Sequence, residues 1–551
     1  MIAARAGASG ARVMDPEEVR PASREETLPV ALAAVLFSFI ALFLCFSRGY
    51  LLLYGDAVAH LGIARRILDS RNPGLVQLGG VWLPLPHLLM LPFVQKLEWW
   101  QNGLAGSWVS LICYIASAAG FYRLSRHLLK PRWAIAATAF YALNPNLLYL
   151  ATTAMTEPLF LALLIWTTLL TVECIAAIHM GGHAVVTRRL FLIGIFVLAA
   201  VYTRYDGWIL GAAVWCVVTF ALARRRDVWR QVVPSFVVFT LLVVAGPIGW
   251  LAYNRHFYHD PLDFLRGPYS ASAIEKKTAA PGSEHYHGWH NPFWAMVYYT
   301  RASQVDAAFW ETGFLVITAA AAGLTIAVRR KLALSAMLLW IPLPFYVYSI
   351  AFGSVPIFIP QLWPHSYYNS RYGMEMLPAL ALFAVLAVQW LEGRWGQSQP
   401  FAKRLMQPIV LLLIALNVVG MMYQTPLVLK EAIHNSTTRV AFETALGRQL
   451  RTIPGGSTIL MYNSDHVGAL EYAGIPLRET LNEGDRDSFQ AALAAPAEHA
   501  SYIVAIAGDP VSAAVTAHPE GLTELTILCS SGEPCARIYQ SNRVAGGAPK
   551  S

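Results

Sequence analysis

Charge is what this sequence has least of: only 13% of its 551 residues are Asp, Glu, Lys or Arg, against roughly 25% in an ordinary soluble domain. With 56% of residues in the apolar set, that scarcity excludes both a soluble globular enzyme and a disordered chain. Three other features are missing. There is no cleavable signal pattern at the N-terminus, no internal repeat, and no nucleotide-binding motif of the kind that powers an exporter. What is present is a mean hydropathy of +0.46, together with 17 Trp and 24 Tyr, residues that seat at headgroup level in membrane proteins. The composition is that of a polytopic α-helical membrane protein.

Apolar runs of roughly 17 to 25 residues, the length a helix needs to cross the hydrocarbon core, predict about eleven transmembrane helices. They fall near 29–47, 105–122, 133–151, 158–178, 190–203, 208–223, 232–253, 307–328, 332–352, 374–391 and 406–423. The fifth and sixth are short. The first serves as an uncleaved anchor behind a polar, disordered cytoplasmic tail, residues 1–28, and 29–423 forms the transmembrane domain.

Net charge is +8, and its distribution assigns sidedness. Sixteen basic residues crowd five alternate loops: Arg123, Arg126, Lys130 and Arg132; Arg188 and Arg189; Arg224, Arg225, Arg226 and Arg230; Arg329, Arg330 and Lys331; Arg394, Lys403 and Arg404. The intervening short loops are nearly bare. By the positive-inside rule these five are cytoplasmic, which puts the N-terminus inside and the C-terminus outside a plasma (inner) membrane. Orientation accounts for the basic excess, so nucleic acid is not a partner.

Three outward segments are too long to be turns: residues 48–104, residues 254–306, and the tail 424–551, which reads as a small extracytoplasmic α/β domain. In the tail, a helical stretch Thr437–Arg451 leads through Pro454-Gly455-Gly456 to strand-like Thr458–Tyr462, and a second strand follows at Tyr502–Ala507. The glycine turn is no nucleotide fingerprint. Cys45, Cys113, Cys174 and Cys216 fall in apolar runs, whereas Cys529 and Cys535 bracket a turn and suit a disulfide on an oxidising face; zinc would need two further ligands.

Acids at span ends are expensive and therefore candidates for function. Glu157, Asp206, Glu311 and Glu375 lie at outer ends, and Glu173 lies toward the cytoplasm. Each is equally read as a helix-end carboxylate complementing the dipole. Asp56 has more around it. The segment 54–68 has helical apolar spacing but is short and carries Arg65 and Arg66, which suits a helix lying in the interface. Asp56 and His60 are i and i+4. Such a pair serves as a base with its orienting partner, as two ligands of a divalent metal, or as a plain interfacial hydrogen bond. In the second outer loop, Glu284-His285-Tyr286-His287-Gly288-Trp289-His290 offers metal ligands but meets no known ligand spacing. No cofactor is firmly implied.

The run Tyr54-Gly55-Asp56-Ala57-Val58-Ala59-His60 with Ile63-Ala64-Arg65-Arg66, followed by residues 74–92 (GLVQLGGVWLPLPHLLMLP), resembles the first outer loop of GT-C glycosyltransferases. These integral-membrane enzymes take sugars from polyprenyl- or dolichyl-phosphate carriers, as protein mannosyltransferases and the aminoarabinose transferase of lipid A do. Thr156-Glu157-Pro158, Thr203-Arg204-Tyr205-Asp206-Gly207-Trp208 and Ser370-Arg371-Tyr372 add to the likeness, which covers roughly residues 30 to 425. It implies a GT-C-like fold and a catalytic base at Asp56. Some members carry a second acid directly after the first; Ala57 stands there in this chain.

The chemistry then needs one base, Asp56 with His60 beside it, and one cationic clamp for the departing lipid phosphate. Arg371 is preferred as clamp, with Arg204 and Arg255 as alternatives, each also readable as a snorkelling anchor. Glu157 and Asp206 are placed at sugar hydroxyls or the acceptor, or in a plain pair with Arg204, and Tyr372 is placed at the substrate. The expected partners are a polyprenyl-phosphate-linked sugar, an acceptor hydroxyl on a protein, lipid or glycan, and membrane lipids. The alternative is a lipid or sugar transporter or flippase, which should place charge near the bilayer midplane and show broken helices in repeated halves.

Overall fold

The computed structural model describes residues 21–278, 285–395, 400–464 and 466–544. Among them, ten helical segments are long and apolar enough to cross a membrane, where about eleven spans were expected. The difference lies at the expected span 133–151, which divides into helices Pro131–Ala142 and Pro145–Leu150. Pro145 has no N–H with which to continue the first helix. The Asn144 side chain then caps the second by accepting from the N–H groups of Asn146 and Leu147. The two short expected spans are full helices, His183–Val201 and Asp206–Ala223. Residues 1–20 of the expected tail lie outside the described residues. The first helix, Arg24–Ser47, opens with a reciprocal cap in which Ser23 Oγ accepts from Glu26 N–H and the Glu26 carboxylate accepts from Ser23 N–H.

The bundle has two chemically distinct ends. At one, Glu173 pairs with Arg189 at 2.7 Å and Arg123 at 3.6 Å, and Arg132 pairs with Glu392. At the other, Glu157, Asp206 and Glu375 converge on Arg204. The broken pair still carries the chain from one end to the other. Lys130 N–H donates to Gln389 Oε1 at the basic end, and the carbonyls of Thr152 and Thr153 accept from Ser107 and Ser110 near the acidic one. Close helix approach uses small residues, as membrane packing favours. A Cβ on Gly323 of helix Thr312–Arg330 would stand 1.8 Å from the Phe383 carbonyl oxygen of helix Leu377–Trp395.

After the last span, Pro400–Tyr423, a second helix Leu427–Leu450 begins at Pro426, well before the expected Thr437. It leads to a five-stranded sheet. The strands are β1 (Ile459–Met461), β2 (Thr480–Leu481), β3 (Tyr502–Ile506), β4 (Leu522–Ser530) and β5 (Glu533–Ser541), in the order β2-β1-β3-β5-β4. β1 is parallel to β2 and β3, matching the two expected strands, while β3–β5 and β5–β4 are antiparallel. Cys529 and Cys535 are disulfide-bonded across the β4–β5 hairpin.

This unit docks on the segment between the first two spans through polar contacts. Arg478 pairs with Asp69 at 2.8 Å, Arg71 Nε donates to the Thr480 carbonyl at 3.0 Å, and Gln101 Nε2 donates to the Glu471 carbonyl at 3.1 Å.

Candidate functional site

The site starts from a helix whose charges follow its dipole. Helix Gly55–Leu68 carries Asp56 in its first turn and Arg65 and Arg66 in its last, each complementing the partial charge at that end. Arg65 is tied back to Asp69 at 2.7 Å and to the Val94 carbonyl. The helix is thus pinned at its far end while Asp56 projects at the near one.

Arg371 comes from the 3-10 turn Ser370–Met376 that opens helix Leu377–Trp395. Gly373 lets this turn press onto helix Pro292–Ala307. A Cβ there would stand 2.6 Å from Asp306 Oδ2 and 2.7 Å from the Ala302 carbonyl carbon. So seated, Arg371 meets three carboxylates: Nη2 lies 2.5 Å from Asp56 Oδ2, Nε 3.1 Å from Glu157 Oε1, and Nη1 3.4 Å from Glu431 Oε1. Glu431 Oε2 also accepts from Ser370 N–H at 2.7 Å. The guanidinium lies over the rings of Tyr372 and Tyr54, at 4.8 and 5.1 Å.

Arg204, in the turn between two spans, makes the companion half. It donates to Thr156 Oγ1 at 2.9 Å and to the Tyr346 hydroxyl at 2.6 Å, and stands 3.4 Å from Glu157, 3.3 Å from Asp206 and 3.2 Å from Glu375. The Tyr346 hydroxyl in turn donates a hydrogen bond to Glu375 Oε1 at 2.8 Å. Glu157 Oε1 is shared by both arginines, and the Tyr372 ring lies under both, 4.9 Å from Arg204. Desolvating charges on this scale costs several kcal/mol per ion and is repaid only by multiple partners, which both guanidinium groups have.

One member differs from the rest. The Asp56 side chain keeps 43% of its surface, while those of Glu157, Asp206 and Glu375 keep none and Glu431 keeps 2%. Asp56 is the accessible carboxylate of a buried network.

His60 does not pair with Asp56 as its i, i+4 spacing predicted. Asp56 turns to the stronger cation Arg371, and His60 Nδ1 meets His87 Nε2 at 2.8 Å, with the Trp82 ring 4.4 Å away. Burial, then the charges of Arg371 and Arg204, push the His60 imidazolium down to about 3. Burial likewise lowers His87. The pair is neutral, one ring nitrogen donating to the other.

Of the acids and cations singled out in the sequence, Asp56, Glu157, Arg204, Asp206, Arg371, Tyr372 and Glu375 come together. Glu311 pairs with Arg301 at 2.8 Å, Glu173 belongs to the opposite end, and Arg255 donates to the His259 carbonyl. In the histidine run, His285 stacks on Trp289 and His287 on Trp363; Glu284 lies outside the described residues. No three His, Cys, Asp or Glu side chains gather as a metal site among the described residues.

Sequence reasoning missed Glu431 and Tyr346, and gave no role to Tyr54 and His87 although both stand in the segments that carry the resemblance. The available signals were a single acid inside Leu427-Val428-Leu429-Lys430-Glu431-Ala432-Ile433 and a histidine inside the apolar run Leu85–Val94.

No protein-family model matches the chain, and no curated protein matches it in sequence. Solved structures do. ArnT from Cupriavidus metallidurans bound to undecaprenyl phosphate superposes with a TM-score of 0.57 at 13% identity, covering 96% of this chain and 100% of that one. The same protein in the apo state gives 0.55 at 15%, covering 93% and 99%. The oligosaccharyltransferase of Archaeoglobus fulgidus tethered with an acceptor peptide gives 0.46 at 10%, covering 88% and 69%. At such identities the likeness to ArnT is one of fold, and it spans nearly the whole of both chains: this is a polytopic helical membrane protein with a GT-C-like fold and a small C-terminal mixed sheet.

Proposed function

We propose that this chain is a membrane glycosyltransferase that moves a sugar from a polyprenyl-phosphate carrier to an acceptor hydroxyl, with Asp56 as general base. The observation that carries the reading is the accessibility of Asp56 within an otherwise buried ion network. A base must be reachable by the hydroxyl it deprotonates and held still while it does so. Arg371, expected as a phosphate clamp, is engaged by three carboxylates, and in this reading it positions Asp56. Glu157, Asp206 and Glu431 fix the two arginines from behind. His60 and His87 pack beneath as a neutral pair.

In the reaction, an Asp56 oxygen takes the hydroxyl proton as the acceptor oxygen attacks the anomeric carbon. The new C–O bond forms on the face opposite the breaking bond to the phosphate oxygen. The polyprenyl phosphate departs with that electron pair, its charge going from one negative to two, and the anomeric configuration inverts. The fold likeness to a protein crystallised with undecaprenyl phosphate supports a polyprenyl carrier.

The basic loops favour a site on the outer face of a plasma (inner) membrane, and the Cys529–Cys535 disulfide suits an extracytoplasmic sheet. An acceptor on a protein, a lipid or a glycan satisfies the chemistry equally. The test is release of polyprenyl phosphate by the purified full chain, supplied with a panel of polyprenyl-phosphate-linked sugars and a membrane extract as acceptor source. Release from at least one donor, lost in Asp56→Asn, is expected. Release from none, or undiminished release in Asp56→Asn, overturns the reading.

A further inference from the structure

A groove of about 630 Å³ lies on the far side of the Asp56 helix start, between the segment after the first span and helix Leu427–Leu450. Its lining includes Arg48, Tyr50, Ile433, Val440, Thr444 and Arg448. Two membrane-spanning helices deliver its walls. Arg48 directly follows helix Arg24–Ser47, which is largely unburied, with Phe43 71% and Phe46 46% exposed. Helix Leu427–Leu450 follows the span Pro400–Tyr423 after only residues 424–426. Both walls meet at one level, since Tyr54 donates to the Val428 carbonyl at 2.9 Å and Arg439 donates to the carbonyls of Leu52 and Leu53. The groove therefore opens where the bilayer surface ends.

Its chemistry is that of an amphiphile with an anionic head. The Arg48 side chain is exposed and has no hydrogen-bond or ion-pair partner among the described residues; its backbone N–H is the group in use, on the Phe46 carbonyl. Arg448 is exposed and lies against the Tyr472 hydroxyl, a neutral partner. On the same lining, Ile433 and Val440 leave 38% and 36% of their surface uncovered. In contrast, the site arginines, Arg371 and Arg204, are saturated by carboxylates. Two guanidinium groups with no carboxylate partner among the described residues, beside an apolar floor at the end of a lipid-facing helix, match a phosphodiester with acyl chains.

We infer that this groove binds an anionic phospholipid of the surrounding bilayer, its phosphate on Arg48 and Arg448 and its chains along the exposed face of the first helix. The site is separate from the Asp56 network, although the same two elements carry both: residues 49–54 run into the Asp56 helix, and Glu431 stands on the groove helix two residues before Ile433.

The experiment is native mass spectrometry of the full chain in detergent, titrated with phosphatidylglycerol or phosphatidylcholine. Phosphatidylglycerol should bind the more tightly. Arg48→Ala and Arg448→Ala should each weaken it about fivefold, and the double variant about 25-fold. Arg329→Ala, which removes an exposed arginine at the opposite end of the bundle, should match the unaltered chain. Val440→Trp, which fills the groove and keeps both charges, should also abolish the preference, so the result does not hang on the arginine variants folding well. The inference is overturned if the double variant or Val440→Trp binds phosphatidylglycerol like the unaltered chain, if phosphatidylcholine binds as tightly, if Arg329→Ala weakens binding equally, or if excess inorganic phosphate displaces the lipid. Lost transferase activity with intact lipid binding would count against the Asp56 reading alone.

Discussion

Arg371 and Glu431 are ion-paired at 3.4 Å, 60 residues apart in sequence, across the junction between the membrane helices and the C-terminal unit. Glu431 also takes the N–H of Ser370, so one side chain holds both the backbone and the guanidinium of the turn that presents Arg371 to Asp56.

Glu431→Ala should therefore cost about 3–5 kcal/mol, the usual penalty for stripping one partner from a buried pair. Glu431→Gln retains an acceptor for Ser370 N–H and should cost less. Thermal unfolding in detergent, followed for both variants, checks the ordering; an unaltered midpoint in Glu431→Ala would contradict the role assigned to this contact.

Asp56→Asn should behave in the opposite way. Its carboxylate is 43% exposed, so losing the pair should change stability by about 0–1 kcal/mol, whereas transfer should fall by about 10²–10⁴-fold, the range for a general base. Measuring unfolding and turnover on the same preparation separates this residue from Glu431.

The His60–His87 pair predicts an acid-sensitive fold. In the unfolded chain a histidine takes its proton near 6.5, whereas His60 in place resists protonation down to about 3. The unfolded state thus binds more protons between those values, and stability is lost as pH falls below about 6.5, by up to about 1.4 kcal/mol per pH unit for each such histidine. His60→Gln should flatten the dependence of the unfolding midpoint between pH 7 and pH 5. An equally steep dependence in the variant would assign the effect to other groups.

Gly323→Val tests the helix packing behind the site. The added side chain would meet the Phe383 carbonyl, a backbone atom that has no rotamer with which to give way. Helices Thr312–Arg330 and Leu377–Trp395 must separate, at about 1–3 kcal/mol. A lowered unfolding midpoint is expected, with Arg371 losing part of its support because its turn opens the second of these helices.

Much of this architecture is legible in the sequence because membranes impose strong rules. Apolar length marks the crossings, and the arginine-rich loops sort the two ends. The break at Asn144-Pro145 was written there too, since proline cannot continue a helix, but a hydropathy window averages over it. Asp56, Glu157, Arg204, Asp206, Arg371 and Glu375 stand out because charge is rare among their neighbours. Glu431 does not, because Lys430 stands beside it and the polar run His434–Arg439 follows, and its importance comes from a contact with Arg371 that no local spacing encodes. His60 misled for the same reason: its i+4 relation to Asp56 was visible, but His87 and Arg371 compete for the two side chains from other elements. Strands β4 and β5 went unseen because a hairpin exposed on one face, with Leu525 and Ile527 among its uncovered residues, mixes charge and apolarity without a clean run.

The helix Leu427–Leu450 starts at the site and ends against the sheet, so the chain has no clean place to be cut. Removing everything after the last span would delete Glu431 along with β1 to β5, leaving Arg371 short of a carboxylate and the Leu52 and Leu53 carbonyls without Arg439. A shortened protein that lost activity would then say nothing about the sheet itself. The sheet can be questioned only by versions that keep residues 427–450, and exchange of this unit between related proteins has to carry that helix with it.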